Sequence, residues 1–311
     1  MNKPWIEKYR PNSLIDIHGQ KKVVEALKSM IDNGNLPNLI FHGQAGTGKT
    51  SMIQVLAKYI YQDYFDYMVI ELNASDDRGI NVVRNEIKDF VEKKNLFKIG
   101  LKLVILDEVD AMTIEAQYAL RYIMDKFSKS TRFCLICNYY HKIIEPIKSR
   151  SCVFRFLPLS LSETKKIINY IALKENIKIS SKIIDTIYKL SNGDVRRAIN
   201  ILQSISLKKN KITENLVLTI SGNPSTKVLN NIIELLTNKD ILFKECYKKI
   251  KKIIDKEGFS LTNLINQIGN YLLENNIMFE LLPKLSELEF QVNQSTFSQI
   301  YIFGLISFFK N

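Results

Sequence analysis

The stretch Leu39-Ile40-Phe41-His42-Gly43-Gln44-Ala45-Gly46-Thr47-Gly48-Lys49-Thr50 constrains the fold of this chain more than any other. Leu39-Ile40-Phe41 has the length and composition of a buried strand. It runs into Gly43–Thr50, which fits the phosphate-binding pattern G-x-x-x-x-G-K-[ST]. The next residues, Ser51-Met52-Ile53-Gln54-Val55-Leu56-Ala57-Lys58, carry apolar side chains at helical spacing. A strand that turns through glycines into a helix aims several backbone N–H groups at an anion. Lys49 adds a mobile positive charge for β- and γ-phosphates, and the Thr50 hydroxyl can ligate Mg²⁺. Gly43, Gln44, Ala45, Gly46, Thr47, Gly48, Lys49, Thr50 and Ser51 are therefore the candidate residues for a nucleoside triphosphate.

At 311 residues the chain is long enough for two or three domains, each with its own core. Its 46% hydrophobic and 24% charged residues read as soluble and globular. No apolar run approaches a membrane span, and no apolar signal core precedes Pro11. An intracellular protein without a membrane partner is expected. Four cysteines without a secretory signal argue against a disulfide framework. Cys134 and Cys137 form a C-x-x-C, but within the apolar run Phe133–Cys137 they should point to opposite faces of a strand. A packed strand is expected there, not a metal site. The formal charge of +12 invites a nucleic-acid partner. The same lysine, isoleucine and asparagine usage also follows from an A/T-rich genome, so the placement of charge has to decide.

Trp5–Pro11 is aromatic and basic; Tyr9, Arg10 and Pro11 can fold over an adenine base or clamp the N-terminus onto the domain. A helix is expected over 21–33, a strand over 69–73, and a helix over 80–93 with Arg84 and Lys88 on one face. That pair could meet successive phosphates or form a solvated surface. Leu101–Leu106, ending in Asp107 and Glu108, reads as a buried parallel strand with its acids at the ligand-binding edge. Asp107 is placed for Mg²⁺ and Glu108 to orient or deprotonate an attacking water. A helix over 113–127 puts Gln117 and Arg121 on one face, and Asn138 at the tip of the next strand can reach the γ-phosphate or the water. Residues 153–156 form a last strand, and about five strands alternating with helices imply a parallel sheet with right-handed crossovers. Helices are expected over 161–176, over 180–206 with a turn at 191–194, and throughout 226–311. An arginine in the first turn of a helix opposes the macrodipole, so Arg196 needs another partner, such as the nucleotide.

Together these motifs resemble the AAA+ ATPases, and more closely the eukaryotic small subunits of the replication factor C family. The likeness covers essentially the whole chain: Trp5–Pro11, the phosphate loop, Leu72–Ile80, Leu103–Thr113, Ala116–Arg121, Arg132–Tyr139, Phe154–Phe156 and Gly193–Gln203. It implies an α/β nucleotide-binding domain over 1–158, a small helical lid over 159–222 and an all-helical collar over 223–311. It further implies that Asn138 is sensor 1, Arg196 sensor 2, and Arg150 an arginine finger acting in trans on a neighbouring subunit's ATP. Arg84 and Lys88 would track primer–template DNA, and the segment 96–100 would face a sliding clamp. The expected activity is a Mg²⁺-dependent, DNA- and clamp-stimulated ATPase within a nuclear hetero-pentamer that loads the clamp. The chain departs from the family pattern in Ser149-Arg150-Ser151, in Val109 after the acidic pair, and in Tyr122 after Arg121. The alternative is a homohexameric AAA+ DNA motor such as a branch-migration helicase, although no appended winged-helix pattern is visible. A non-hydrolysing structural subunit is opposed by the complete set Lys49, Asp107 and Glu108.

Overall fold

The computed structural model describes residues 3–75, 79–93, 100–207, 212–295 and 298–310, the side chains of 79–84 and 298 excepted. Five strands form one parallel sheet: β1 (Asn38–Gly43), β2 (Val69–Asn73), β3 (Lys102–Asp107), β4 (Thr131–Cys137) and β5 (Ser151–Phe156). Their order across the sheet is β2-β3-β4-β1-β5. Numbering helices of seven residues or more, the chain continues through α1 (Lys21–Asp32), α2 (Lys49–Tyr61), α3 (Gly79–Glu92) and α4 (Ile114–Lys126). Then follow α5 (Leu161–Lys174), α6 (Ser181–Ser191) and α7 (Val195–Ser206). The last group is α8 (Glu214–Ile220), α9 (Thr226–Thr237), α10 (Phe243–Glu257), α11 (Leu261–Asn275), α12 (Leu282–Gln294) and α13 (Ser298–Lys310).

The strands are where the apolar runs lie, with edges that differ by a residue or two. β4 begins at Thr131 rather than Phe133, and β5 at Ser151 rather than Val153. The short α8 has no counterpart in the expected elements. The chain divides into two units, Met1–Ile177 with Ser191–Asn200, and Lys178–Leu190 with Ile201–Asn311.

In the first unit, alternation along each strand builds two cores, one on each face of the sheet. Leu39, Phe41, Leu103, Ile105, Cys134 and Ile136 pack with Met52, Ile53 and Leu56 of α2. Ile40, Val104, Leu106, Leu135 and Cys137 pack on the opposite face with Leu120 and Met124 of α4 and Ile87 of α3. Cys134 and Cys137 thus fall in different cores, as period-two geometry requires, and cannot share a metal. Burial pushes both thiols up, Cys137 to about 12 and Cys134 well above its ordinary value. Among the described residues no cluster of histidine, cysteine and acids could hold a metal ion.

Lys102 is buried at the start of β3 although lysines seldom are. Its ammonium donates to the carbonyl of Phe90 (2.6 Å) and to that of Lys93, capping the C-terminal end of α3, where the helix presents partial negative charge. Buried Gln117 is likewise satisfied: Nε2 donates to Lys142 O (3.0 Å), and Oε1 accepts from Ile144 N (3.0 Å).

In the second unit, Leu229, Ile232 and Leu236 of α9 join Ile250, Leu264, Ile268, Leu285 and Leu305 in one helical core. Serines placed before apolar helices start them. The Ser225 and Ser260 side chains accept from Val228 N and Asn263 N, and Gly258 ends α10 in the left-handed conformation. Among the described residues no helix is long and apolar enough to cross a membrane.

Candidate nucleotide site

The strand order decides which loops meet. β4 lies between β3 and β1, so the parallel arrangement brings the ends of all three to one edge. That edge carries the phosphate loop after β1, Asp107 and Glu108 at the end of β3, and Asn138 after β4. A cavity of about 530 Å³ opens there. Ala45 to Ser51, Asp107, Glu108, Asn138 and Arg196 all line it.

The loop's shape depends on its glycines. Gly43 has φ +150°, and a Cβ there would meet Phe156 O at 2.2 Å. Gly46 has φ +69°, and a Cβ would lie 1.7 Å from Asp194 Oδ1. The Gly46 carbonyl also accepts from Val195 N (3.2 Å), so the loop is clasped by the first residues of α7. Asp194 in turn caps that helix, accepting from Arg197 N (3.0 Å).

Lys49 is buried and ties the site together. Its Nζ donates to Gly43 O and Gln44 O (both 2.8 Å) and to Asn138 Oδ1 (2.9 Å). Burial pushes this ammonium down, against the opposing pull of Asp107. Gly43 and Gln44 thus meet Lys49 through their carbonyls and do not line the cavity. Thr50 Oγ1 donates to Asp107 Oδ2 (2.7 Å), joining the start of α2 to the end of β3. Glu108 is exposed, lines the cavity and has φ +56°, an uncommon conformation for a residue with a Cβ. Its N–H donates to Asp107 Oδ1 (2.8 Å). Asp110 Oδ2 accepts from Asn138 N (3.3 Å) and Tyr139 N (3.1 Å), holding the β4 tip against the acidic loop.

The N-terminal segment is fixed against the domain at the cavity's edge. Tyr9, Arg10 and Pro11 line the cavity, and Tyr9 also anchors the segment. Tyr9 OH donates to Glu175 Oε1 (2.5 Å), which also accepts from Lys8 Nζ (2.6 Å), and the Tyr9 ring meets Tyr170 of α5 edge to face at 6.2 Å. The Lys8 and Tyr9 hydrogen bonds hold the Glu175 carboxyl below its ordinary value. Several apolar wall residues, among them Ile17, Leu159, Ile167 and Ile171, were not singled out from sequence. Their spacing marks a buried helix face or turn and cannot distinguish a cavity wall from a core.

Not every candidate residue comes to this cavity. Arg150 does not line it; its Nε donates to Asp125 Oδ1 (2.7 Å). Lys88 is exposed on α3, away from the cavity wall. The backbone of Arg84 is helical, but its side chain lies outside the described residues, as do residues 76–78 of the Leu72–Ile80 motif and 96–99 of the segment expected to face a clamp.

Three family models match the chain in succession. They are the ATPase family associated with various cellular activities (AAA) over residues 39–160, the RFC1-like, AAA+ ATPase lid domain over 161–216, and the replication factor C C-terminal domain over 224–307. The chain is 40% identical to replication factor C subunit 5 of Mus musculus over 314 residues, covering 99% of this chain and 92% of that protein. It is 39% identical to the probable replication factor C subunit 5 of Dictyostelium discoideum, covering 99% and 90%. Among solved structures, the Thermotoga maritima RuvB Holliday junction branch migration motor superposes with a TM-score of 0.55 at 18% identity, over 84% of this chain and 91% of that one. At that identity the likeness concerns the fold alone.

Proposed function

The chain belongs to the replication factor C family of AAA+ ATPases, and from that premise we propose that it is a small subunit of a hetero-pentameric clamp loader. In this reading it uses ATP to open a sliding clamp and load it onto primer–template DNA in replication and repair. One observation carries the proposal: the 40% identity extends over 99% of the chain, so the likeness includes the C-terminal helices as well as the common phosphate loop. The relatives in mouse and Dictyostelium are replication factors of eukaryotes, and we assign this chain to the nucleus. We assign residues 1–158 to the nucleotide-binding domain, 159–222 to the lid and 223–311 to the collar; the family-model limits at 160/161 and 224 support this division.

ATP would lie with its phosphates against the loop 43–51 at the start of α2 and its base beside Tyr9, Arg10 and Pro11. On binding, Lys49 exchanges the Gly43 and Gln44 carbonyls for β- and γ-phosphate oxygens. Thr50 Oγ1 and Asp107 Oδ2, 2.7 Å apart, are the hard oxygen donors that Mg²⁺ prefers alongside phosphate and water. Bound there, Mg²⁺ would neutralise charge on the β- and γ-phosphates. Glu108 takes a proton from the attacking water as the water oxygen bonds to the γ-phosphorus. The bond from that phosphorus to the bridging oxygen breaks, and ADP leaves with inorganic phosphate. Asn138 and Arg196, both on the cavity wall, steady the γ-phosphate charge. Arg150 acts on the neighbouring subunit's ATP, and Arg84 and Lys88 follow the DNA backbone.

Stimulation of turnover tests this reading. In the assembled complex, primed DNA and clamp together should raise ATP hydrolysis well above the level of the isolated chain. Brisk turnover by the isolated chain, unchanged by DNA or clamp, would contradict it.

A further inference from the structure

Asp125, in the last turn of α4, is shared between two arginines. Its Oδ1 accepts from Arg150 Nε at 2.7 Å and its Oδ2 from Arg121 Nε at 3.1 Å. Arg150 Nη1 is held as well, donating to Pro146 O (2.9 Å) and Ser149 Oγ (3.4 Å). Two of the three guanidinium nitrogens of Arg150 are therefore fixed within the subunit, and Nη2 has no partner among the described residues. All three charged side chains remain at the surface, between 37% and 40% exposed.

Stability does not account for this arrangement. Exposed ion pairs contribute little, because water screens the charges and holding two long side chains still costs entropy. Orientation is another matter. An arginine free to rotate must lose its rotamer freedom when it meets a phosphate, whereas one already held by Nε and Nη1 loses less. The Arg150 hydrogen bond first, and the charges of both arginines with it, hold the Asp125 carboxyl below its ordinary value, so the clasp persists at neutral pH.

We propose that Asp125 is a positioning residue for hydrolysis at the neighbouring subunit's nucleotide. It holds the Arg150 guanidinium in the orientation that meets the γ-phosphate across the interface, and Arg121 steadies the carboxylate from its other oxygen. The proposal rests on the reading of Arg150 given above and adds two residues to it.

The test compares assembled complexes carrying D125N, D125E, R150A or D125N/R150A, with kcat and KM for ATP measured at saturating primed DNA and clamp. R150A defines the turnover that depends on Arg150. D125N should lose most of that turnover, about fivefold or more in its kcat, with KM within about twofold, since the missing orientation is felt only in the transition state. D125E should restore most of the rate, and D125N should add nothing in the R150A background. A D125N complex at the wild-type rate while R150A is slow overturns the proposal. So does an equal loss from D125N with and without Arg150, or a D125N chain that no longer assembles, which would make Asp125 an interface residue. A wild-type rate in R150A itself overturns the arginine-finger reading and the proposal with it; that result is recognised without reference to any Asp125 variant.

Discussion

Lys49 Nζ donates to Asn138 Oδ1 at 2.9 Å, so the lysine of the glycine-rich loop and the amide at the β4 tip act as one unit although 89 residues separate them. The amide sets where the ammonium points before any phosphate arrives. Asn138→Ala should therefore lower kcat by about 10²- to 10³-fold, as loss of a preorganised polar group at a reacting centre does, while ATP affinity changes little. Single-turnover hydrolysis beside a nucleotide-binding titration separates the two effects.

Glu108 combines exposure to the cavity with φ +56°, and its position is fixed by the N–H bond to Asp107. Glutamine keeps the shape and loses the base. Glu108→Gln should leave ATP binding intact and slow hydrolysis by about 10²- to 10⁴-fold, the usual contribution of a general base. Turnover at the wild-type rate would remove Glu108 from this role.

At Gly46 the phosphate loop meets the start of α7, the Gly46 carbonyl accepting from Val195 N. Alanine there would meet Asp194 Oδ1 at 1.7 Å and would sit at φ +69°. Gly46→Ala should weaken ATP binding and lower thermal stability, by at least about 1 kcal/mol from the backbone conformation alone. Adding Asp194→Gly removes the collision but not the backbone strain, so the double variant should recover only in part. Full recovery would show that strain at this position is unimportant.

The buried thiols give a pH dependence with a defined sign. Their folded values lie above the ordinary thiol value of 9, Cys137 near 12. Between these limits the folded chain holds protons that the unfolded chain releases, so stability should fall as pH rises from about 9 towards 12. Denaturant unfolding at pH 8, 9 and 10 measures the slope. Native Cys134 and Cys137 should also resist alkylation at pH 8 and react on unfolding.

Lys88 is exposed on α3, where a DNA phosphate could be met without disturbing the fold. Lys88→Ala in the assembled complex should weaken primer–template binding similarly for all sequences and reduce the salt slope by about one. An unchanged slope would leave Lys88 as a solvated surface residue.

Much of the site was legible because its residues stand at the ends of elements that announce themselves locally. Leu39-Ile40-Phe41 reads as a strand by composition, and the glycines after it allow only a few backbone paths. The two faces of Phe133–Cys137 follow from period two, which is why Cys134 and Cys137 separate as expected. Strand order was legible only in part. Asn138 reads as the tip of a strand beside the one ending in Asp107 and Glu108. Nothing local in Thr131–Cys137 says that this strand also borders β1, the placement that brings Asn138 to Lys49. Nor does the sequence announce Tyr9 reaching Glu175, or Asp125 reaching Arg150. Such contacts depend on how distant helices are set against the sheet, and carry no signal at either end. Lys102 belongs to the same group, since a lysine can be buried only if carbonyls from another element come to meet it.

The central claim, a clamp-loader subunit working beside different partners, is tested most directly by the mass and subunit composition of the native assembly. A pentamer holding one copy of this chain with related subunits is the predicted result. A closed homohexamer would contradict the account and assign the same nucleotide site to a ring-shaped motor.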